Sequence, residues 1–256
     1  MQLNYKTIGT GQPIIFLHGL FGMLDNWQTF GKKIADLGYQ VILVDQRDHG
    51  RSPWTNDLNY TLLAQDIIAF ANQIDLEQFI LVGHSMGGKT AMKVTSLAPE
   101  LVEKLVVIDV APKKYKRGHD EIFKALKALH LETAQSRSEL YEKLKIYLDD
   151  EMVIQFLLKN IQRNSEGDGF NIKFNIDLIE KKYDNIIDDI YLDFPISVST
   201  LFCKGELSNY IIEEDFQIIN TLFTNCNVQT IPQAGHWIHA DQPDLLFKYI
   251  SEFIQK

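Results

Sequence analysis

Short apolar runs alternate along most of the chain with segments in which apolar residues follow helical spacing. The apolar runs predict six strands, at residues 13–17, 41–45, 79–82, 104–109, 196–203 and 227–231. The helical spacing predicts covering helices at residues 62–74, 86–97 and 244–254, the last of which follows a Gln-Pro helix-start signal. Buried strands separated by helices are typical of a mostly parallel central sheet flanked by helices, so the predicted fold class is α/β.

This rhythm changes between residues 113 and 194, where strand-like runs give way to helical periodicity. The helical segments lie at residues 121–130, 138–148 and 153–162. A block of about eighty residues is too long for an ordinary connection between a strand and a helix. We therefore expect an inserted helical cap, or lid, at 113–194 and a core domain formed by 1–112 and 195–256.

Composition and charge narrow the classes of partner. The 256 residues carry a formal net charge of −9, which argues against a nucleic-acid partner. No apolar run is long enough to cross a bilayer, and the first residues lack the pattern of a signal peptide. The two cysteines, Cys203 and Cys226, do not suggest a disulfide framework. We expect a cytoplasmic protein, monomer or homodimer, that acts on a small molecule without inserting into a membrane.

The most informative motif is Gly-His-Ser-Met-Gly-Gly at residues 83–88, directly after the apolar run 79–82. A strand that ends in Gly-x-Ser-x-Gly and turns at once into a helix exposes the serine at the top of the sheet. A Cβ two residues before or after Ser85 would collide with the neighbouring strand or helix, which explains the flanking glycines. Ser85 is therefore the candidate nucleophile, and the first amides of the following helix point at the group it attacks.

A serine hydroxyl needs a base within hydrogen-bond reach, and seven histidines are available. With such a turn, the histidine is expected in the loop after the last strand, and His236 lies there. His239 is the nearest competitor and is expected to begin the approach to the final helix. We expect the side chain of His84 to leave the turn on the opposite side. Solvent exposure is expected for His49, His119 and His130.

Two carboxylates compete for the role of orienting His236. Asp109 ends the predicted strand that follows the nucleophile, and neighbouring parallel strands open onto the same crevice at their carboxyl ends. We assign Asp109 to accept the imidazole Nδ1–H and stabilise the imidazolium, with Ser208 as a supporting fourth member bonded to this pair. Two alternatives remain open: Glu206 is the acid, or Asp109 only caps the segment that enters the lid.

The negative charge that develops during attack on a carbonyl needs two backbone amides. One is the amide of Met86, which follows the nucleophile. The other is expected from the loop after strand 13–17, where Leu20 is the first candidate and Phe21 the second. We expect Phe21 and Tyr115 to line the substrate pocket. The basic run at residues 113–117 either attracts an anionic substrate or is simply solvated, and this chemistry requires no metal and no organic cofactor.

These motifs resemble the α/β-hydrolase family over nearly the whole chain. His18-Gly19-Leu20-Phe21-Gly22 with Asp25-Asn26-Trp27, Ile108-Asp109-Val110-Ala111-Pro112 and Ser208-Asn209-Tyr210-Ile211 resemble, more narrowly, the YbfF-type bacterial acyl esterases. Asp48 departs from the glycine that is frequent at its position in the family, in a stretch that is structural there. In that subfamily the acid follows the earlier strand, which agrees with Asp109.

The resemblance implies a serine hydrolase that cleaves short-chain carboxylic esters, or acyl-CoA thioesters, through a Ser-His-Asp triad and an acyl-enzyme. A perhydrolase or a carbon–carbon bond hydrolase that uses the same triad is one alternative. A catalytically silent hydrolase fold that binds a ligand is the alternative from a different class.

Overall fold

A computed structural model describes residues 1–165 and 167–256 of the chain and contains two sheets. Its strands are β1 (Tyr5–Ile8), β2 (Gln12–Leu17), β3 (Tyr39–Val44), β4 (Phe79–His84), β5 (Val102–Ile108), β6 (Ile161–Arg163), β7 (Phe170–Ile172), β8 (Ser199–Gly205) and β9 (Cys226–Ile231). The central sheet has the order β1-β3-β2-β4-β5-β8-β9. β1 pairs antiparallel with β3, and the other neighbours in this sheet pair parallel. The predicted fold class is therefore confirmed.

Helices lie on both faces of this sheet and in the segment between β5 and β8. They are α1 (Gln28–Ala35), α2 (Tyr60–Gln73), α3 (Met86–Leu97), α4 (Asp120–Lys127), α5 (Arg137–Lys145), α6 (Glu151–Lys159), α7 (Ile176–Lys181), α8 (Tyr183–Ile187), α9 (Asp215–Leu222), α10 (Ile238–Asp241) and α11 (Pro243–Ile254). In the described ranges, none is both long and apolar enough to span a membrane.

Alternate side chains of the strands enter two separate hydrophobic layers, because successive residues of a strand point to opposite faces. Ile15 and Leu17 of β2 lie in the layer formed with α2 and α3. Ile14 and Phe16 lie in the layer formed with α1 and α11. Both faces of the sheet are thus buried, which explains why its inner strands read as continuous apolar runs.

The predicted elements are confirmed with end shifts of a few residues, and several short elements were not predicted. β1 is an edge strand with three exposed residues, so it shows no apolar run. Its neighbour β3 was recognised because it is nearly all buried. β1 therefore lacks the strand signal that burial on both faces gives to β3.

The segment between β5 and β8 contains α4 to α8 and the antiparallel pair β6–β7. Its three predicted helices are present, whereas β6 and β7 have three residues each and were not predicted. Hydrogen bonds join this segment to the loops of the sheet: the Asn175 amide donates to the Asp48 carbonyl at 2.9 Å. A further bond reaches α2, whose first residue, Tyr60, donates from its hydroxyl to the Ile186 carbonyl at 2.7 Å. The division into core and cap stays a prediction.

Candidate active site

Ser85 lies on the turn between β4 and α3 in a strained backbone conformation. Its φ of 54° and ψ of −118° belong to a region that residues with a side chain rarely adopt. The Ser85 amide donates to the Ile108 carbonyl at 3.0 Å, which attaches the turn to β5. A Cβ on Gly83 would lie 2.1 Å from the Gly87 carbonyl oxygen, and one on Gly87 would lie 2.5 Å from the Leu17 carbonyl oxygen. Neither position can therefore accept a side chain without moving the backbone.

The structure brings Ser85, His236 and Asp109 into one hydrogen-bonded chain. His236 Nε2 lies 3.0 Å from Ser85 Oγ, and His236 Nδ1 lies 2.8 Å from Asp109 Oδ2. Because the carboxylate can only accept, Nδ1 carries the proton and Nε2 is free to accept the serine proton. The chain of bonds thus has the polarity that a general-base mechanism requires.

Asp109 is fully buried, and its carboxylate has three hydrogen-bond donors. The Gly205 amide donates to Oδ1 at 3.0 Å, while the Ser208 hydroxyl and His236 donate to Oδ2. A buried carboxylate is costly unless such donors compensate its charge. The parallel pairing of β4, β5 and β8 brings these groups together, since their strand ends meet at one edge of the sheet.

Glu206, the alternative acid, lies away from this chain of bonds. Its side chain is exposed, and its carboxylate accepts a hydrogen bond from the Gln233 amide at 2.8 Å. This contact holds the loop that precedes His236 without reaching the imidazole.

Two further rings contact the imidazole of His236. Tyr210 stacks on it with a centroid distance of 3.6 Å and an angle of 15°. His84, which we expected to point away, instead lies 4.8 Å from it, and His84 Nε2 bonds to the His236 carbonyl at 2.9 Å. Burial, with a smaller contribution from His236, lowers the pKa of His84 well below its usual value. His84 is therefore a neutral donor that fixes the backbone of His236.

The sequence left Leu20 and Phe21 as candidates for the second amide that stabilises the oxyanion, and the hydrogen bonds of these amides distinguish them. Among the described residues, the amides of Leu20 and Met86 have no hydrogen-bond partner. The Phe21 amide donates to His49 Nε2 at 3.3 Å, while His49 Nδ1 bonds to the Arg47 carbonyl at 2.9 Å. The expectation that His49 is solvated was wrong: it is fully buried, and burial lowers its pKa to about 3. Leu20 is consequently the available donor in this loop.

Two cavities meet at Ser85, and both are also lined by Leu20 and His119. The smaller, of about 50 Å³, has an apolar wall that includes Phe21, Ile122, Val153, Phe156 and Leu157. The larger, of about 670 Å³, includes Met86, Lys89, Tyr115, Ile186 and Tyr210. The expected lining residues Phe21 and Tyr115 thus lie in different cavities.

The hydroxyl of Tyr115 connects two loops that carry site residues. It accepts a hydrogen bond from the Ala111 amide at 2.7 Å and donates to the Tyr210 carbonyl at 2.7 Å. Ala111 follows Asp109 by two residues, and Tyr210 follows Ser208 by two. Tyr115 therefore connects the loops that carry Asp109 and Ser208.

Most cations of the basic run 113–117 are paired with carboxylates. Lys113 bonds to Asp215 at 2.5 Å, Lys114 to Asp188 at 2.9 Å, and Arg117 to Asp120 at 2.9 Å and to Asp184 at 2.6 Å. This pairing reduces the positive charge that the run offers to an anionic substrate.

Lys89 is a buried cation of the larger cavity that the sequence analysis did not single out. Its amine donates to the Lys113 carbonyl at 2.8 Å and to the Asp188 carbonyl, and it lies 4.8 Å from the ring centroid of Tyr115. Burial lowers its pKa to about 7. The sequence signal was its position, because Lys89 lies in the first turn of α3, the helix that begins directly after Ser85. Within residues 1–165 and 167–256, no group of three or more His, Cys, Asp or Glu side chains could hold a metal ion.

Ser85 is a strained serine between a parallel strand and a helix, and it is bonded to a histidine that follows the last strand. This arrangement defines the class of the α/β-hydrolases. The sequence profile of the alpha/beta hydrolase fold matches residues 12–243. The chain belongs to this family.

Curated relatives make the assignment narrower. Esterase YbfF of Escherichia coli strain K12 is 35% identical over 246 residues, which cover 94% of this chain and 92% of that protein. The sn-1-specific diacylglycerol lipase ABHD11 of Mus musculus is 35% identical over 264 residues, which cover 99% of this chain and 85% of that protein. The predicted resemblance to YbfF-type esterases is confirmed.

A solved structure agrees with these relatives. The structure of a marine microorganism esterase superposes with a TM-score of 0.95 at 42% identity, covering 98% of this chain and 99% of that one. The chain is therefore an enzyme, an α/β-hydrolase of the esterase/lipase type.

Proposed function

We propose that the protein hydrolyses short-chain carboxylic esters through an acyl-enzyme on Ser85, with acyl-CoA thioesters as a second substrate class. One observation carries the proposal: the unbroken chain of hydrogen bonds from Ser85 through His236 to the buried Asp109. The relatives named as esterase and lipase support the class of reaction.

In the proposed mechanism, Ser85 Oγ attacks the ester carbonyl while His236 Nε2 takes its proton. Asp109 holds the imidazole by its Nδ1–H and stabilises the imidazolium. The carbonyl oxygen becomes an oxyanion, which the amides of Leu20 and Met86 stabilise; the loss of one such donor costs about 3–4 kcal/mol of barrier in measured cases. His236 then gives its proton to the leaving alcohol or thiol. A water molecule, deprotonated by His236, releases the acid and regenerates the serine.

The surroundings of the triad support further roles. The hydroxyl of Ser208 would hold Asp109 in place as a supporting fourth member, and Phe21 and Tyr115 would contact the substrate from the two cavities. Residues 113–194 would form a cap over Ser85, closing the core of residues 1–112 and 195–256. The two free cysteines fit the reducing cytoplasm that we propose for this monomer or homodimer.

The acid is tested by comparing Asp109→Asn with Glu206→Gln on p-nitrophenyl acetate, butyrate and octanoate. Removal of the charge from Asp109 should lower kcat by about 10⁴, as in a related triad, because the histidine takes the wrong tautomer. Glu206→Gln should stay within about twofold, because that carboxylate is exposed and bonded elsewhere. A large loss in Glu206→Gln with an active Asp109→Asn would identify the other acid.

The nucleophile is tested with a fluorophosphonate probe on the wild type and on Ser85→Ala. Labelling of the wild type alone is expected, since only an activated serine reacts. An unlabelled wild type that is also inactive on every ester would instead support a silent hydrolase fold. A labelled protein without esterase activity would point to perhydrolase or carbon–carbon bond chemistry on the same triad.

A further inference from the structure

His119 is an imidazole beside Ser85 that the proposed mechanism does not use. It lies at the amino end of α4, far from the triad in sequence, and it lines both cavities together with Ser85 and Leu20. We expected it to be solvated, but it is half-buried between the edges of Phe21 and Tyr183, with centroid distances of 5.8 and 5.5 Å. The fold therefore places a histidine from the segment after β5 in both of the cavities that meet at Ser85.

The contacts of Tyr183 allow a tautomer of His119 in which Nδ1 is the acceptor. The Gly118 amide donates to Tyr183 Oη at 3.4 Å, and Tyr183 Oη is bonded to His119 Nδ1. With the phenol hydrogen donated to this imidazole nitrogen, Nδ1 is the acceptor, and this is the tautomer that the inference uses. Burial raises the pKa of Tyr183 and lowers that of His119 to about 4, so both groups are neutral near pH 7. The single imidazole proton consequently resides on Nε2.

Among the described residues this Nε2–H has no hydrogen-bond partner, and it is not one of the buried unpartnered atoms, so in the free protein it is open to water. An unsatisfied donor that substrate removes from water costs about 1–3 kcal/mol, so a bound substrate should offer it an oxygen. The oxyanion already has Leu20 and Met86 as donors. His119 and His236 both line the smaller cavity. In the proposed mechanism, the substrate atom that receives the proton of His236 is the leaving-group oxygen.

We propose that His119 Nε2–H donates a hydrogen bond to the leaving-group oxygen of an ester bound at Ser85 and so makes the enzyme selective for oxygen esters over thioesters. The inference rests on the proposed function. An ester oxygen has two lone pairs, so it can accept from His119 and from the protonated His236 together. A thioester sulfur is a weak acceptor and gains little from the same donor. The cap would thus supply a specificity-determining residue.

The test compares ethyl butyrate with S-ethyl thiobutyrate, which differ only in the leaving atom. His119→Phe keeps an aromatic ring but has no donor, and the ratio of kcat/KM for ester over thioester should fall about tenfold through kcat. His119→Gln restores an N–H donor and should recover most of the ratio. His130→Phe is the matched control, because His130 is exposed outside the site, and it should leave the ratio unchanged.

A second variant keeps the inference testable if His119→Phe does not fold. Tyr183→Phe removes the hydroxyl that places the proton on Nε2, and it should also lower the ratio. Equal losses on both substrates, or no loss in either variant, would overturn the role of His119. A wild type that hydrolyses neither substrate would count against the proposed function itself, which separates the two failures.

Discussion

The replacement of Ser208 by alanine tests how the buried acid is held. Asp109 has three donors, and Ser208→Ala removes one of them while Gly205 and His236 remain. The same hydroxyl also accepts a hydrogen bond from the Tyr210 amide at 3.2 Å, so the loop loses one attachment as well. The variant should therefore be impaired but not inactive.

The size of this effect follows from the charge of the acceptor. A hydrogen bond to a charged group contributes about 1.5–3 kcal/mol, and about 1.4 kcal/mol corresponds to a factor of ten in rate. Asp109 is fully buried, so water does not readily replace the lost donor. Because the carboxylate aligns and stabilises the imidazolium, we expect kcat to fall about tenfold to a hundredfold.

The assay is the steady-state hydrolysis of p-nitrophenyl butyrate, with a thermal melt to show that the variant is folded. Ser251→Ala is the matched control, since Ser251 bonds only to a carbonyl of its own helix. A folded Ser208→Ala within twofold of the wild type would refute the supporting role. An effect as large as that of Asp109→Asn would show that Ser208 is indispensable to the acid rather than supporting.

Three further predictions concern burial and close packing. His49 has a pKa of about 3 when folded and 6.5 when unfolded, so the unfolded state binds more protons between these values and stability falls as pH decreases. Between pH 7 and pH 5, the free energy of unfolding measured in urea should fall less for His49→Gln than for the wild type. Equal losses of stability in the two proteins would contradict this. Lys89 has a pKa of about 7 in the folded protein and 10.5 when unfolded. The wild type should therefore gain stability relative to Lys89→Met as pH rises from 7 to 10.5. A pH-independent difference between their free energies of unfolding in urea would argue against this. Gly83→Ala should cost at least about 3 kcal/mol in thermal unfolding, because its Cβ meets backbone at 2.1 Å, whereas Gly118→Ala, with nothing nearer than 4.0 Å, should change little.

The sequence predicted those parts of the fold and site whose signals are local. Ser85 was singled out as the candidate nucleophile because a strand, two glycines and a helix occur together, and each of these is a short-range pattern. The position of Asp109 near His236 could be predicted with one further inference, since parallel strands place their carboxyl ends at a common edge. His236 followed from its place after the last strand.

Other parts depend on contacts between distant segments and could not be predicted. His49 lies in a polar stretch and reads as solvated, yet it is buried because the loop folds inward and gives it the Phe21 amide as partner. His119 has no local signal, because its place beside Ser85 depends on how α4 packs over the sheet. The choice between Leu20 and Phe21 depended on a single hydrogen bond.

The phenol of Tyr115 attaches the segment after β5 to two loops of the candidate site. Its two hydrogen bonds join residue 115 to Ala111, which follows the strand end of Asp109, and to Tyr210 in the loop of Ser208. Displacement of residue 115 would therefore have to break these bonds or carry the loops of Asp109 and Ser208 with it. A change in this segment is thus felt at both residues that bond to one another beside His236.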